Sequence, residues 1–188
     1  MDVEESIIRP LQRGDEEQII KLFDEWFPVK YPPEFSYQIC RYPGKYQTKA
    51  IVTKGNKILA LMLGQFEYGV QVEQPAWSMT KRKRGWGDHY DTAFHILLLG
   101  VRKELRRQGL AKKLMDLVIV DCIQQKNTVL IYLHASVAND AAIKFYKKCG
   151  FIQSHPIRAL YKFGNGRYGD AFMFVMEIDK PYSFCTVL

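Results

Sequence analysis

No run of about eighteen uncharged apolar residues occurs anywhere in the 188-residue chain, which excludes a membrane-spanning helix of ordinary length. The first residues, MDVEESIIRP, are acidic where a secretory leader is basic and then apolar, so a cytosolic chain is predicted. Cysteine is scarce: Cys40, Cys122, Cys149 and Cys185 stand singly, with no Cys-x-x-Cys pair and no Cys/His cluster. Neither a zinc site nor a disulfide framework is therefore predicted, and the four read as reduced thiols. Internal repeats and low-complexity segments are also lacking. The glycine within Arg106 to Ala111 does not stand at Walker or Rossmann spacing, so neither of those nucleotide-binding signatures is read there.

What is present suits one domain with one good core, since 47% of residues are hydrophobic and 13% aromatic. Lysine and arginine outnumber the acids by 27 to 20, a net charge of +7 that invites a polyanionic partner. The cations concentrate in Lys81 to Arg84 and in Arg102 to Lys113, with no aromatic stacking motif of the RNA-binding kind between them. No nucleic-acid partner is predicted; a small polyanion or an anionic membrane surface fits the pattern better.

The periodicities predict a strand over 3–11, an amphipathic helix over 14–27 stopped by Pro28, and a short helix over 34–42. Two β-rich runs around Gly55-Asn56 predict a hairpin, and residues 69–90 predict an inserted basic loop. The second half alternates: a buried strand over 91–101, a helix over 107–125, a buried strand over 128–134, a helix from Asn139 to Gly150, then strands near 151–155 and 171–178. Strand, helix, strand, helix implies a parallel pair with antiparallel strands on its amino-terminal side.

Between the first buried strand and its helix stands GVRKELRRQGLAKKL, six cations around two glycines. A helix N-terminus leaves backbone N–H groups unpaired and carries partial positive charge, so it suits phosphate, and a glycine there admits the phosphate to the backbone. Arg106 to Ala111 reads R-x-x-G-x-A, which resembles the pyrophosphate loop of the GCN5-related N-acetyltransferases (GNAT). ILLLGV before it resembles that family's acetyl-CoA-binding strand. Ala142, Phe145, Tyr146, Gly150 and Phe151 match the family's A-x-x-F-Y-x-x-x-G-F pattern. The resemblance implies an α/β GNAT fold over 1–180: a mixed central sheet of about seven strands, a splayed parallel pair and flanking helices, with 181–188 as a tail. It further implies acetyl-CoA as co-substrate, no metal, and cofactor contacts from Leu99, Gly100, Val101, Arg106, Arg107, Gln108, Gly109, Leu110, Ala111, Asn139, Ala142 and Tyr146.

Within the family, DEWFPVKYP, ILLLGV and IYLHASVANDAAIKFY resemble the protein N-terminal acetyltransferases of the NatF (Golgi-associated) and NatE catalytic-subunit types, and Trp26-Phe27-Pro28, the inserted loop and GDAFMFVMEI favour NatF. That resemblance implies transfer to protein N-termini beginning with Met and a hydrophobic or amphipathic residue. It implies that Phe27, Val29 and Tyr31 bind the substrate, that His134 is the base, acting directly or through water, and that the Leu99 amide polarises the thioester carbonyl. The chain departs from the pattern at His95, where those enzymes have a tyrosine that shares the proton relay. A histidine could serve as base itself, could weaken activity, or could leave the role to Tyr90. The closing hairpin departs as well: Ala159-Leu160-Tyr161 replaces a run of tyrosines, so Tyr161 alone is expected to hold the substrate backbone.

The final residues, Cys185 to Leu188, fit a prenylation pattern, and a lipid there with Lys81 to Arg84 on anionic headgroups would hold the chain on the cytosolic face of an organelle membrane. Two other readings stay open: a lysine or histone acetyltransferase, and a non-catalytic acetyl-CoA-binding subunit. Oligomeric state is not predicted.

Overall fold

The computed structural model describes residues 5–42, 44–68, 71–79, 91–125, 127–164 and 166–178. Helix α1 (Glu16–Trp26) buries Ile19, Leu22 and Phe23 at helical spacing, and Glu16 and Glu17 in its first turn complement the helix dipole. After the Phe27 to Pro32 connection, α2 (Pro33–Arg41) starts on a proline, where the missing N–H costs nothing. Strand β1 (Ile7–Arg9) is shorter than the sequence predicts because Pro10 cannot donate to a ladder. Strands β2 (Gln47–Val52) and β3 (Ile58–Tyr68) form the expected hairpin, with Asn56 in the left-handed region at φ 63°.

A correction falls in 69–90. Its described part, 71–79, is not a plain loop but carries a short helix, α3 (Gln74–Ser78). Val72 and Ala76 there are buried against Ala93, Leu130, Tyr132, Met173 and Val175. Five residues are too few to show periodicity, so packing rather than propensity makes this helix. Lys81 to Arg84, Tyr90 and Cys185 lie outside the described residues.

The second half runs β4 (Thr92–Val101), a 3-10 turn (Lys103–Leu105), α4 (Leu110–Gln124), β5 (Thr128–Ser136), α5 (Asp140–Lys148), β6 (Ile152–Lys162) and β7 (Tyr168–Glu177). Helix α4 starts three residues later than predicted because Arg107 and Gly109 take left-handed φ values of 63° and 85°. The sheet order is β1-β2-β3-β4-β5-β7-β6, parallel only between β4 and β5. Antiparallel strands thus flank the parallel pair on both sides, not only on the amino-terminal one. Helices α4 and α5 cover one face over a core that includes Ile51, Met62, Phe94, Ile96, Leu114 and Leu133. Helices α1 and α2 pack on the other face against Leu61, Leu63 and Leu98, with α3 beside them. No helix among the described residues is long and apolar enough to cross a membrane.

Two irregularities in β4 shape the rest of the molecule. Leu63 pairs with Leu98 while Gly64 pairs with Ile96, so Leu97 is an extra residue, a β-bulge. The bulge shifts the alternation by one: Phe94 and Ile96 before it, and Leu99 and Val101 after it, all pack toward α4 and α5. Beyond Ile96↔Leu133, β4 and β5 no longer pair, although β4 continues to Val101 and β5 to Ser136. The parallel pair therefore splays open.

The α1 end of the sheet is tied by a buried ion pair. Asp15, fully buried, accepts from Arg9 through both carboxylate oxygens at 2.7 and 2.9 Å, and its Oδ2 also accepts from the Gln12 N–H. Removing one partner of such a pair leaves an uncompensated buried charge. Asp15→Ala is expected to lower unfolding stability by about 3 to 5 kcal/mol, read by urea denaturation; a loss under about 1 kcal/mol would show that water replaces the carboxylate.

Candidate active site

The splay opens a groove of about 760 Å3. Its floor is Ile96 to Leu99 of β4 and Leu133 to Ser136 of β5, one wall is Asn139, Ala142 and Tyr146 of α5, and the other is the α1–α2 connection and the β6–β7 turn. A β5 edge without a partner strand is what an extended amide chain can pair with. On the outer wall Lys30 runs beside Gly164 of the β6–β7 turn, where a Cβ would fall 3.1 Å from its Cγ. Strand β6 contributes through a register jump between Ile157 and Tyr161, where Ala159 takes φ 54° and donates its N–H to Asp170 Oδ1 at 2.9 Å.

Phe27, Val29, Tyr31 and Tyr161 all line this groove. Tyr31 stacks on Phe35 at 5.7 Å, and burial pushes its hydroxyl up to about 12. Burial, then the neighbouring Tyr31, pushes Tyr161 up to about 12 as well. Both phenols are consequently neutral hydrogen-bonding groups near pH 7.

At the mouth of α4 the chain leaves β4, makes the 3-10 turn and enters the helix through Gly109, with no side chain capping the helix start. Its first N–H groups are left for an anion. Arg106 Nε donates to the Val101 carbonyl at 3.2 Å and Gln108 Nε2 to the Glu104 carbonyl at 3.2 Å, both tying the loop back on itself. Leu110 is buried, anchoring the helix, whereas Arg106, Arg107, Gln108 and Gly109 are exposed and Ala111 partly so. Gly100 is needed for another reason than ligand approach: a Cβ there would fall 2.1 Å from Trp26 Cε3. Asn139, predicted to touch cofactor, caps α5, its Oδ1 accepting from Ala142 N–H at 3.1 Å, while still lining the groove.

His134 is the first β5 residue beyond the last β4–β5 pair, so its side chain stands where the strands part. Its Nε2 lies 3.3 Å from Glu73 Oε2 and has no hydrogen-bond partner of good geometry among the described residues. His95 does not line the groove. It stacks on Tyr132 at 4.2 Å, 5.6 Å from the His134 ring, and its Nδ1 is 3.1 Å from Glu67 Oε1.

Glu67 is the buried anchor of this cluster. It also accepts from Gln65 Nε2 at 2.7 Å and from the Tyr132 hydroxyl. Burial works to raise its pKa, but hydrogen bonds from His95, Tyr132 and Gln65 outweigh it and hold the carboxyl below its ordinary 4.5. Glu67 is therefore a carboxylate at neutral pH. A carboxylate only accepts, so Nδ1 of His95 carries its proton and Nε2 is left facing outward from that contact. Burial and then Glu67 push the Tyr132 hydroxyl well above its usual range, so it remains a donor. Glu73 is held below the ordinary carboxylate value, chiefly by His134.

The lowered value fixes a sign. Folded Glu67 binds its proton more weakly than unfolded Glu67, so its stabilisation is present above about pH 4.5 and lost as pH falls through the lower folded value. Glu67→Gln is expected to cost about 1.5 to 3 kcal/mol at pH 7. The gap from the parent protein should close in urea titrations taken down through the acid range; a gap independent of pH would mean Glu67 is not charged in the fold.

Glu67, Tyr132 and Glu73 were missed in the sequence. A signal existed for the first: Gln65 and Glu67 are polar at i, i+2 in an otherwise apolar strand. None existed for Glu73, which sits in an apparent loop.

The sequence model described as Acetyltransferase (GNAT) family matches residues 16–151. N-alpha-acetyltransferase 60 of Danio rerio is 28% identical over 189 residues, covering 96% of this chain and 73% of that protein. Two solved structures share the fold: Arabidopsis thaliana NAA60 with a bisubstrate analogue (24% identity, TM-score 0.81, 94% of this chain and 99% of that one) and with acetyl-CoA (23%, 0.82, 92% and 98%). Given a family match over most of the length, on a sheet whose parallel strands part beside an uncapped helix start, the chain belongs to the GNAT family and is an acetyl-CoA-dependent acyltransferase.

Proposed function

We propose that this chain acetylates the α-amine of proteins that begin with Met followed by a hydrophobic or amphipathic residue. The observation that carries the reading is the position of His134: at the splay, on the floor of a groove whose outer wall is the aromatic set Phe27, Tyr31 and Tyr161. The relatives named N-alpha-acetyltransferase 60 support the same class of acceptor.

The thioester of acetyl-CoA supplies an activated acetyl group. In this reading the exposed loop Arg106 to Gly109 and the α4 start hold the pyrophosphate, with Ala111 giving it room, and Leu99 to Val101 line the pantetheine path past Ala142 and Tyr146. The Leu99 N–H polarises the thioester carbonyl. Phe27 and Val29 take the methionine side chain, and the neutral hydroxyls of Tyr31 and Tyr161 hold the peptide backbone. An N-terminal amine has an ordinary pKa of about 7.7 to 8.0 against about 10.4 for lysine, so a modest base suffices. As the C–N bond forms and the C–S bond breaks, His134 takes the amine proton directly or through one water. His95, fixed by Glu67 and stacked on Tyr132, acts behind it as a positioning residue rather than as the first acceptor.

The test is turnover on free Met-Leu, Met-Val, Met-Lys and Ser-Glu peptides beside a blocked peptide with internal lysines. Transfer to the Met-starting peptides alone is expected. Acetylation of only the blocked peptide would make it a lysine enzyme, and acetyl-CoA binding without any turnover would make it a non-catalytic subunit.

A further inference from the structure

Cysteine spacing excludes an ordinary zinc motif, yet the fold assembles a different donor set. One ligand atom from each of Glu73, His95 and His134 lies within 4.8 Å of the other two. Three features make this more than a chance meeting. The His134 side chain is only 9% exposed, and its Nε2 is shielded and without a hydrogen bond among the described residues. Glu67 fixes the proton of His95 on Nδ1, leaving the Nε2 lone pair to offer, which is the carboxylate–histidine arrangement that orients a metal-binding imidazole. Two carboxyl groups, Glu67 at 3.1 Å from His95 and Glu73 at 3.3 Å from His134, stand beside the two imidazoles in a partly buried site.

We propose that Glu73, His95 and His134 form a Zn2+ site whose occupation blocks acetyl transfer. Two imidazoles and one carboxylate are a common three-ligand zinc set, leaving a fourth position for water. Donor atoms around tetrahedral zinc stand about 3.4 Å apart for bonds of about 2.0 to 2.1 Å. The Glu73–His134 separation of 3.3 Å already meets that spacing, and the separations to His95, within 4.8 Å, would have to shorten by up to about 1.4 Å. Glu73, 41% exposed and just before α3 rather than locked in the sheet, can follow such a shift. Zinc bound there takes the lone pair with which His134 would accept the amine proton. The inhibition, though not the binding, rests on the reading of His134 as the base.

The test is calorimetric titration of the free protein with Zn2+, without peptide or acetyl-CoA, repeated with Co2+ to read the absorption of a low-coordinate site. One equivalent is expected to bind. Glu73→Gln and His134→Ala should each weaken it at least about tenfold, and Glu67→Gln, which removes the orienting carboxylate, by about 10- to 100-fold. His155→Ala and Cys149→Ser should leave binding unchanged. No binding at one equivalent, or an affinity in Glu73→Gln or His134→Ala as high as in the parent protein, overturns the proposal. Zinc binding in a protein that acetylates none of the peptides would uphold the site and sink the base assignment instead.

Discussion

His134→Ala should lower kcat on a Met-Leu peptide by about 100- to 10,000-fold, the usual worth of a positioned acid–base group. Acetyl-CoA affinity should not change, because the groove is built by β4, β5, α5, the α1–α2 connection and the β6–β7 turn together rather than by this one imidazole. The backbone of β5 at this point is held by its pairing with Met173 of β7, so truncation leaves the strand in place. A drop in kcat with unchanged acetyl-CoA dissociation is thus the signature of a lost proton acceptor, whereas parallel loss of both would indicate collapse of the splay. His95→Phe keeps the stacking on Tyr132 but removes the Glu67 contact, and a smaller loss, about tenfold, is expected from a group acting through another. The double variant should be no slower than His134→Ala, since residues that work as one unit do not add. Full activity in His134→Ala would move the base elsewhere.

Gly109→Val should weaken acetyl-CoA binding by about 10- to 100-fold, the equivalent of losing one charge-assisted hydrogen bond of about 1.5 to 3 kcal/mol. The cause is conformational. Gly109 sits at φ 85°, and no atom lies within 4 Å of where its Cβ would be, so bulk is not the obstacle. A left-handed backbone costs an ordinary residue about 1 to 2 kcal/mol, and more for a β-branched one. Relief of that strain would rotate the first N–H groups of α4 away from the phosphate. Asparagine visits this region more readily, so Gly109→Asn should bind distinctly better than Gly109→Val in calorimetry with CoA. Equal weakening by both would mean that side-chain bulk against the ligand, not backbone strain, sets the requirement. Gly100 offers the contrast. There the Trp26 ring occupies the space of a Cβ, and the demand is steric.

Much of the carboxy-terminal half was legible because its signals are local. Apolar runs of strand length, helical spacing in α4 and α5 and the Asn139 cap each depend on near neighbours in sequence, and each survived folding with shifts of a few residues. The groove-lining residues Phe27, Val29, Tyr31, Tyr161 and His134 were legible only through family resemblance, and they do come together around one space. Where sequence reasoning fell short, the causes were tertiary. The run Leu97-Leu98-Leu99 hides its bulge, since three identical side chains show no break in alternation when the faces exchange. Helix α3 is too short to announce itself and exists because Val72 and Ala76 have a sheet to cover.

The sequence by itself determined most of the strands and helices, though not α3, and that one parallel pair would stand at the centre. Only the tertiary structure decided that β4 and β5 part after Ile96 and Leu133, and that His134 is the residue standing at the gap. It alone joined Glu67, Glu73, His95, Tyr132 and His134, drawn from three strands and the residue just before a short helix. The physical reason is that strand and helix preferences are paid residue by residue along the chain, whereas a carboxylate acquires its charge state, and a histidine its proton position, from groups that only the sheet brings within 3 or 4 Å.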